Sequence, residues 1–226
     1  NNNLSNLDVA PLLNLEILRC ASNQISELNV SQNSELTLLN CGYNSLSTIN
    51  LTSNNNLEEI TVESNTIQYL DLSQNPSLTY VNCILNSLAG LNIKNGNNTA
   101  ISNSNFAAFD NPSLTCILVD DKNYADSNWT QIDMQTEFNT SCPELVAIPD
   151  FNFEAYLESI NLGNGTVGDG FVLKALVEEI TALNISNLSI STIEGIQYFR
   201  DLEILDFKNN NISSVDLSAN LKLEEL

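Results

Sequence analysis

The chain has 226 residues, 42% of them hydrophobic, with 28 acidic side chains against 7 basic ones and a formal net charge of −21. Such a surface repels nucleic acid phosphates and anionic headgroups, and no apolar run reaches the roughly 20 residues that span a bilayer, so neither nucleic acid binding nor direct membrane insertion is expected. Histidine is absent, which removes the commonest general base and the commonest metal ligand at neutral pH.

The chain opens on Asn1-Asn2-Asn3-Leu4, with neither the basic nor the apolar region of a signal peptide. From there a period of 21 residues governs the first half. Ile25, Leu46, Ile67 and Leu88 form one column, and Leu28, Ile49, Leu70 and Leu91 another. Val30, Leu51, Leu72 and Ile93 make a third, Leu15, Leu36, Leu57 and Leu78 a fourth, and Leu18, Leu39, Ile60 and Val81 a fifth. A chain that returns to the same place every turn stacks such columns into one continuous core. Leu18-Arg19-Cys20 and its successors alternate inward and outward, as a short parallel strand does. Asparagine keeps the same step in two columns, Asn23, Asn44, Asn65, Asn86 and Asn33, Asn54, Asn75. At a bend its backbone tolerates unusual angles and its amide satisfies groups the turn leaves unpaired, so both columns read as a structural ladder.

The unit Leu36-Thr-Leu-Leu39-Asn-Cys41-Gly-Tyr-Asn44-Ser-Leu46-Ser-Thr-Ile49-Asn-Leu51 resembles LxxLxCxxNxLxxLDLxxN, the 21-residue irregular bacterial leucine-rich repeat known as IRREKO. Its second half, as in Leu70-Asp71-Leu72-Ser73-Gln74-Asn75, echoes the first and suggests a second strand-like segment on the opposite side of each turn. The resemblance implies a leucine-rich repeat solenoid of short stacked parallel strands with few helices. It also implies a secreted surface protein like those of Bacteroidota, often exported by the type IX system. It covers about residues 1–112 and again 180–226.

After Ile93 the register fails at the polar insertion Lys94 to Ala100. Residues 113–145, with Trp129, Ile132 and Phe138 between Cys116 and Cys142, resemble the C-terminal cap that closes such arrays. Trp129 is expected to pack on the last turn. A bridge between Cys116 and Cys142 would close a loop of about 26 residues and suit an oxidising extracellular setting. Cys20, Cys41 and Cys83 share an inward column that Val62 also occupies, so they read as small buried packing groups.

Residues 146–181 read as a linker and helical N-terminal cap. Glu144 to Pro149 is the linker, Asp150 or Asn152 the helix N-cap, and a second helix spans about Phe171 to Glu179. The glycine-rich stretch Gly163 to Gly170 has neither the lysine nor the preceding strand of a phosphate-binding loop and reads as a flexible cap loop. Residues 182–226 open a second array. Leu183, Ile185, Ile190 and Ile193 recur 22 residues on as Leu205, Phe207, Ile212 and Val215, and Ile193 to Leu205 is similar to the internalin pattern. Both ends of the chain fall within a repeat, which reads as an internal piece of a longer string of modules.

No catalytic constellation emerges, because a serine or cysteine triad of the usual kind needs histidine. Glu58-Glu59, Asp120-Asp121 and Glu178-Glu179 are neighbours that would point to opposite faces of a strand. They read as surface charge, and no cofactor is expected. Oxygen-rich loops leave calcium open at Asp169, or at Asp120, Asp121 and Asp126, without EF-hand spacing. The Asn-x-Ser/Thr sequons follow from composition. The outward strand residues would form a concave docking face, with Leu38, Asn40, Tyr43, Glu59, Thr61, Glu63, Tyr80, Asn82 and Ile84 as the candidate contacts for a protein, a glycan or further copies of the chain. A non-catalytic surface binding module is the first expectation. A structural spacer or filament unit is the second, and an accessory region of a larger secreted enzyme the third.

Overall fold

Parallel strands that recur once per turn build the first of two compact units, Asn1–Cys142 and Pro143–Leu226, in a computed structural model that describes residues 2–226. Its strands are β1 (Ile17–Arg19), β2 (Leu38–Asn40), β3 (Glu59–Thr61), β4 (Tyr69–Asp71), β5 (Tyr80–Asn82), β6 (Gly90–Asn92), β7 (Phe106–Ala107), β8 (Cys116–Leu118) and β9 (Glu137–Asn139). They form a five-stranded sheet in the order β1-β2-β3-β5-β7 and a four-stranded sheet in the order β4-β6-β8-β9. In the first sheet Leu18 pairs with Leu39, Leu39 with Ile60 and Ile60 with Val81, all parallel and one period apart. The second sheet lies on the other half of each turn, where the nested repeat places it, with Leu70 opposite Leu91. This is a leucine-rich repeat solenoid.

The apolar columns close the core as expected. Leu28, Leu70 and Leu91 are buried in one row, and Ile49 packs against it partly exposed. Leu15 is likewise only partly buried, while Leu36, Leu57 and Leu78 are fully enclosed.

Each asparagine of the first ladder sews two turns together. Asn65 Nδ2 donates to the carbonyls of Cys41, Val62 and Glu63, and its Oδ1 accepts from Leu46 N at 2.9 Å. Asn44 repeats this one turn earlier. The left-handed residue at this bend is the one before the asparagine: Ser22, Tyr43, Ser64, Leu85 and Asp110 have φ between 53° and 58°. The asparagine therefore supplies its amide, not an unusual backbone angle. In the second ladder Asn54 Nδ2 donates to Val30 and Asn33 carbonyls, and Asn75 repeats the pattern on Leu51 and Asn54.

The polar insertion after Ile93 lengthens one turn without ending the stack. Val81 pairs with Phe106 instead of a residue 21 positions on, and Leu91 with Ile117. Asn111 then takes the first-ladder role, donating to Cys83 O and Ala108 O and accepting from Leu88 N. The segment from residue 113 adds the rungs β8 and β9 as well as covering the core. Trp129 is buried, stacked on Phe106 with centroids 4.3 Å apart, and its Nε1 donates to Ile101 O. It follows helix α1 (Lys122–Asn128), which Asp121 caps. Cys116 and Cys142 are disulfide-bonded.

In the second unit strand β10 (Leu145–Ala147) pairs antiparallel with β11 (Phe171–Leu173), so two expectations are corrected. The segment read as a linker is a strand, and the helix expected from Phe171 begins only at Lys174, as α3 (Lys174–Val177), after the helix α2 (Phe151–Ser159). Val146 and Val172 are both buried, and pairing them serves an apolar run better than one helix turn would. Gly195 follows, at φ 102°, where a Cβ would lie 2.3 Å from Ile148 Cδ1. β12 (Ala182–Asn184) and β13 (Ile204–Asp206) pair in parallel with Leu183 opposite Leu205, the 22-residue step. Ile204 then bridges to Glu225, returning to 21. Leu205 is buried and Phe207 and Ile212 pack partly exposed, but Val215 stays exposed beside Ile193 in a shallow depression. Asn210 and Asn220 reproduce the two ladders.

Removing Asn65 would orphan buried backbone groups on two turns. Asn65→Ala is expected to cost about 2 kcal/mol or more in urea unfolding, whereas exposed Gln32→Ala stays within about 0.5 kcal/mol. Opening the Cys116–Cys142 bridge, which spans 26 residues, is expected to cost about 3–4 kcal/mol of loop-closure entropy. The lone tryptophan reports it, as a red shift of Trp129 emission at a lower denaturant midpoint.

Candidate functional site

On the first sheet the inward residues of each strand are buried and the outward ones stand in solvent-facing columns. β2 presents Leu38 and Asn40, both half-buried, and Tyr43 follows at the corner. β3 presents exposed Glu59 and half-buried Thr61, followed by Glu63. β5 presents half-buried Tyr80 and Asn82, followed by Ile84. The register places Leu38, Glu59 and Tyr80 side by side, and Asn40, Thr61 and Asn82 beside them. Eight of the nine candidate residues thus share one face, and Tyr43 stands at the corner beside it.

That face is partly pre-set by its own side chains. Glu63 Oε2 accepts from Asn82 Nδ2 at 2.9 Å. Behind it Gly42 leaves room, since a Cβ there would sit 3.0 Å from Glu63 Cγ. Asn40 and Asn82 each turn Oδ1 onto the backbone N–H two residues on, Gly42 and Ile84. Two apolar residues went unnoticed in the sequence. Leu85 is 45% exposed and Phe109 is half-buried. Ser64 N donates to Ile84 O and Leu85 N to Phe109 O, so both belong to this edge of the face. The register slip hid Phe109; Leu85 was legible as the counterpart of Tyr43.

The cysteine column is chemically quiet. Cys20, Cys41 and Cys83 are free and buried, and burial pushes all three thiols up, Cys83 to about 12. A thiol held protonated is a poor nucleophile.

The acids named for calcium have other partners. Asp120 accepts from Gly96 N and Asn98 N, Asp121 caps α1, and Asp126 pairs with Lys122 at 3.0 Å. Asp169 accepts from Asn164 Nδ2 and Phe171 N. Among the described residues no cluster of three or more acids or cysteines is placed to hold a metal. The glycine-rich loop expected to be loose is tied down: Glu158 accepts from Asn164 N and Gly165 N, and buried Glu154 from Gly168 N. Burial raises Glu154 and Asp169 above the ordinary carboxylate range, with neighbouring acids adding to the rise.

Asp150 joins the helical cap to the first turn of the second array. Oδ1 accepts from Asn152 N and Phe153 N, which makes it the N-cap of α2, and Oδ2 accepts from Ser191 N and Oγ. Burial pushes its carboxyl up, but the Ser191, Phe153 and Thr192 donors outweigh this and hold it below its ordinary value.

Fold and face together define a leucine-rich repeat solenoid with outward strand columns open to solvent. Similar solved structures include the functional domain of InlJ from Listeria monocytogenes, described as including a cysteine ladder, at 22% identity and a TM-score of 0.42 over 95% of this chain and 44% of that one. Another is a leucine-rich repeat protein of Leptospira interrogans, at 18% identity and a TM-score of 0.44 over 100% of this chain and 58% of that one. A third is an internalin of Listeria monocytogenes, inlF, at 16% identity and a TM-score of 0.33 over 99% and 84%. The chain spans about half the length of the first two. No family model and no curated protein matches it. Among the described residues no helix is long and apolar enough to cross a membrane.

Because the folded state lowers the pKa of Asp150, its contribution is present above the unfolded carboxylate pKa and fades as pH falls through the folded value. Asp150→Ala is expected to cost about 1–2 kcal/mol at neutral pH. The gap to wild type should close in acid, read by hydrogen exchange over residues 151–159.

Proposed function

We propose that this chain is a non-catalytic extracellular binding module, a cell-surface adhesin or protein- and glycan-interaction solenoid, with the outward columns of the first sheet as its contact surface. One observation carries this reading. Leu38, Tyr43, Tyr80, Ile84 and Leu85 place apolar groups on a solvent-facing sheet, on the two rungs that flank the polar β3 rung. Tyrosine and aliphatic side chains gathered at one place are what binding hot spots use. The Cys116–Cys142 bridge suits an oxidising location outside the cell. Export by a type IX route from a Bacteroidota-like bacterium is the accompanying expectation from the repeat type.

The test pans the intact chain on arrays of defined glycans and peptides beside Tyr80→Ala, with Trp129 emission confirming that both are folded. A ligand lost in the variant supports the reading. A chain that binds nothing and associates end to end in the ultracentrifuge is a spacer or filament unit instead. An accessory role in a secreted enzyme predicts that a ligand, if found, is the substrate of a catalytic domain elsewhere in the same protein.

A further inference from the structure

The distribution of charge on the same face says more about its occupant. The β3 rung carries Glu59 and Glu63, with Glu58 exposed beside them. Among the described residues no cation pairs with any of the three; the ion pair in the first unit is Lys122–Asp126, in the cap. Apolar side chains flank this rung on either side: Leu38 and Tyr43 on one, with Asn40, and Tyr80, Ile84 and Leu85 on the other, with Asn82. Resting on the reading of this face as a docking surface, we propose that its partner is a cationic polypeptide segment. A lysine or arginine sits on the β3 carboxylates, and apolar side chains occupy the rungs before and after.

The geometry sets the spacing. Neighbouring strands lie about 4.8 Å apart, so the two apolar rungs are separated by about 10 Å. An extended chain covers that distance in about three residues. The partner therefore carries its basic residue inside a three-residue step between two apolar ones. The receiving carboxylate is held in place beforehand: Glu63 lies over Gly42, where a Cβ would crowd it, and is fixed by Asn82 Nδ2. A group already positioned loses little freedom when a ligand arrives.

The apolar flanks carry their own sign of selection for exposure. The corner of each turn needs a left-handed residue, and Ser22, Ser64 and Asp110 meet that need with small polar side chains. At the same corner Tyr43 and Leu85 take φ 53° and 54° while 51% and 45% exposed. A left-handed L-residue costs about 1–2 kcal/mol. A bulky apolar group that accepts this cost while staying about half exposed is an outlier of the kind that gathers at ligand-contacting positions.

Three synthetic peptides test this against the intact chain by fluorescence anisotropy: one repeating Leu-Lys-Ser, so that leucines recur every third residue with a lysine between them, the same with glutamate for lysine, and the same with serine for lysine. The lysine peptide is expected to bind, more weakly as salt rises, and the other two not. Glu59→Gln/Glu63→Gln should weaken it about tenfold or more, and Glu27→Gln/Glu35→Gln, an equal loss of charge elsewhere on the unit, less than about twofold. Tyr43→Ser/Leu85→Ser should also weaken it without lowering stability, because serine already serves that corner at Ser64. Equal loss from both glutamate pairs, equal binding of the three peptides, or no binding of the lysine peptide overturns the proposal. A face that takes a neutral glycan and no peptide overturns the cationic partner while leaving the docking surface standing.

Discussion

A stacked coil depends on one constraint: each turn must present its backbone N–H and C=O groups where the next turn can meet them. Strands of two or three residues satisfy only a few of these. The asparagine amides meet others, those of the first ladder reaching to their own turn and to the one before, and those of the second ladder to the one before. In the buried bend an unpaired carbonyl would cost about 1–3 kcal/mol. The amide is thus the element that makes a 21-residue turn closable, and the apolar columns then have a fixed address. The constraint runs only between neighbouring turns, which is why an excess of four residues on the first sheet and five on the second is absorbed locally and Asn111 resumes the ladder.

What could be read in advance follows from what repeats. Columns such as Leu36, Leu57 and Leu78 announce themselves because identical surroundings select identical residues. Asn111 did not, since it stands 25 positions after Asn86, although its local setting, three residues after an inward strand neighbour, is the same. The pairing of Leu145–Ala147 with Leu173 to Phe171 was hidden for a different reason. It is made once, between segments a helix apart, and no period marks it. The bend offers a subtler case. An asparagine beside a turn suggests that the asparagine adopts the unusual angle, yet the residue before it does. Only side-chain bonding separates the two roles.

The candidate face shows the same division. That Leu38, Glu59 and Tyr80 stand together followed from the period alone. That Glu63 is pinned by Asn82 across one rung and accommodated by Gly42 across another did not, because the first contact joins different columns and the second depends on how the Glu63 side chain lies. Function on such a scaffold is written in departures from the repeat. Where the fold asks only for a small polar corner, as at Ser22, Ser64 and Asp110, Tyr43 and Leu85 are the departures.

The bridge between Cys116 and Cys142 encloses β8, α1, Trp129 and β9. In a stack whose turns hold only their neighbours, unravelling starts where a turn has one neighbour instead of two. A covalent staple around the final rungs of the first unit removes that boundary as a starting point. The cap side of the coil is thereby secured like the whipped end of a rope.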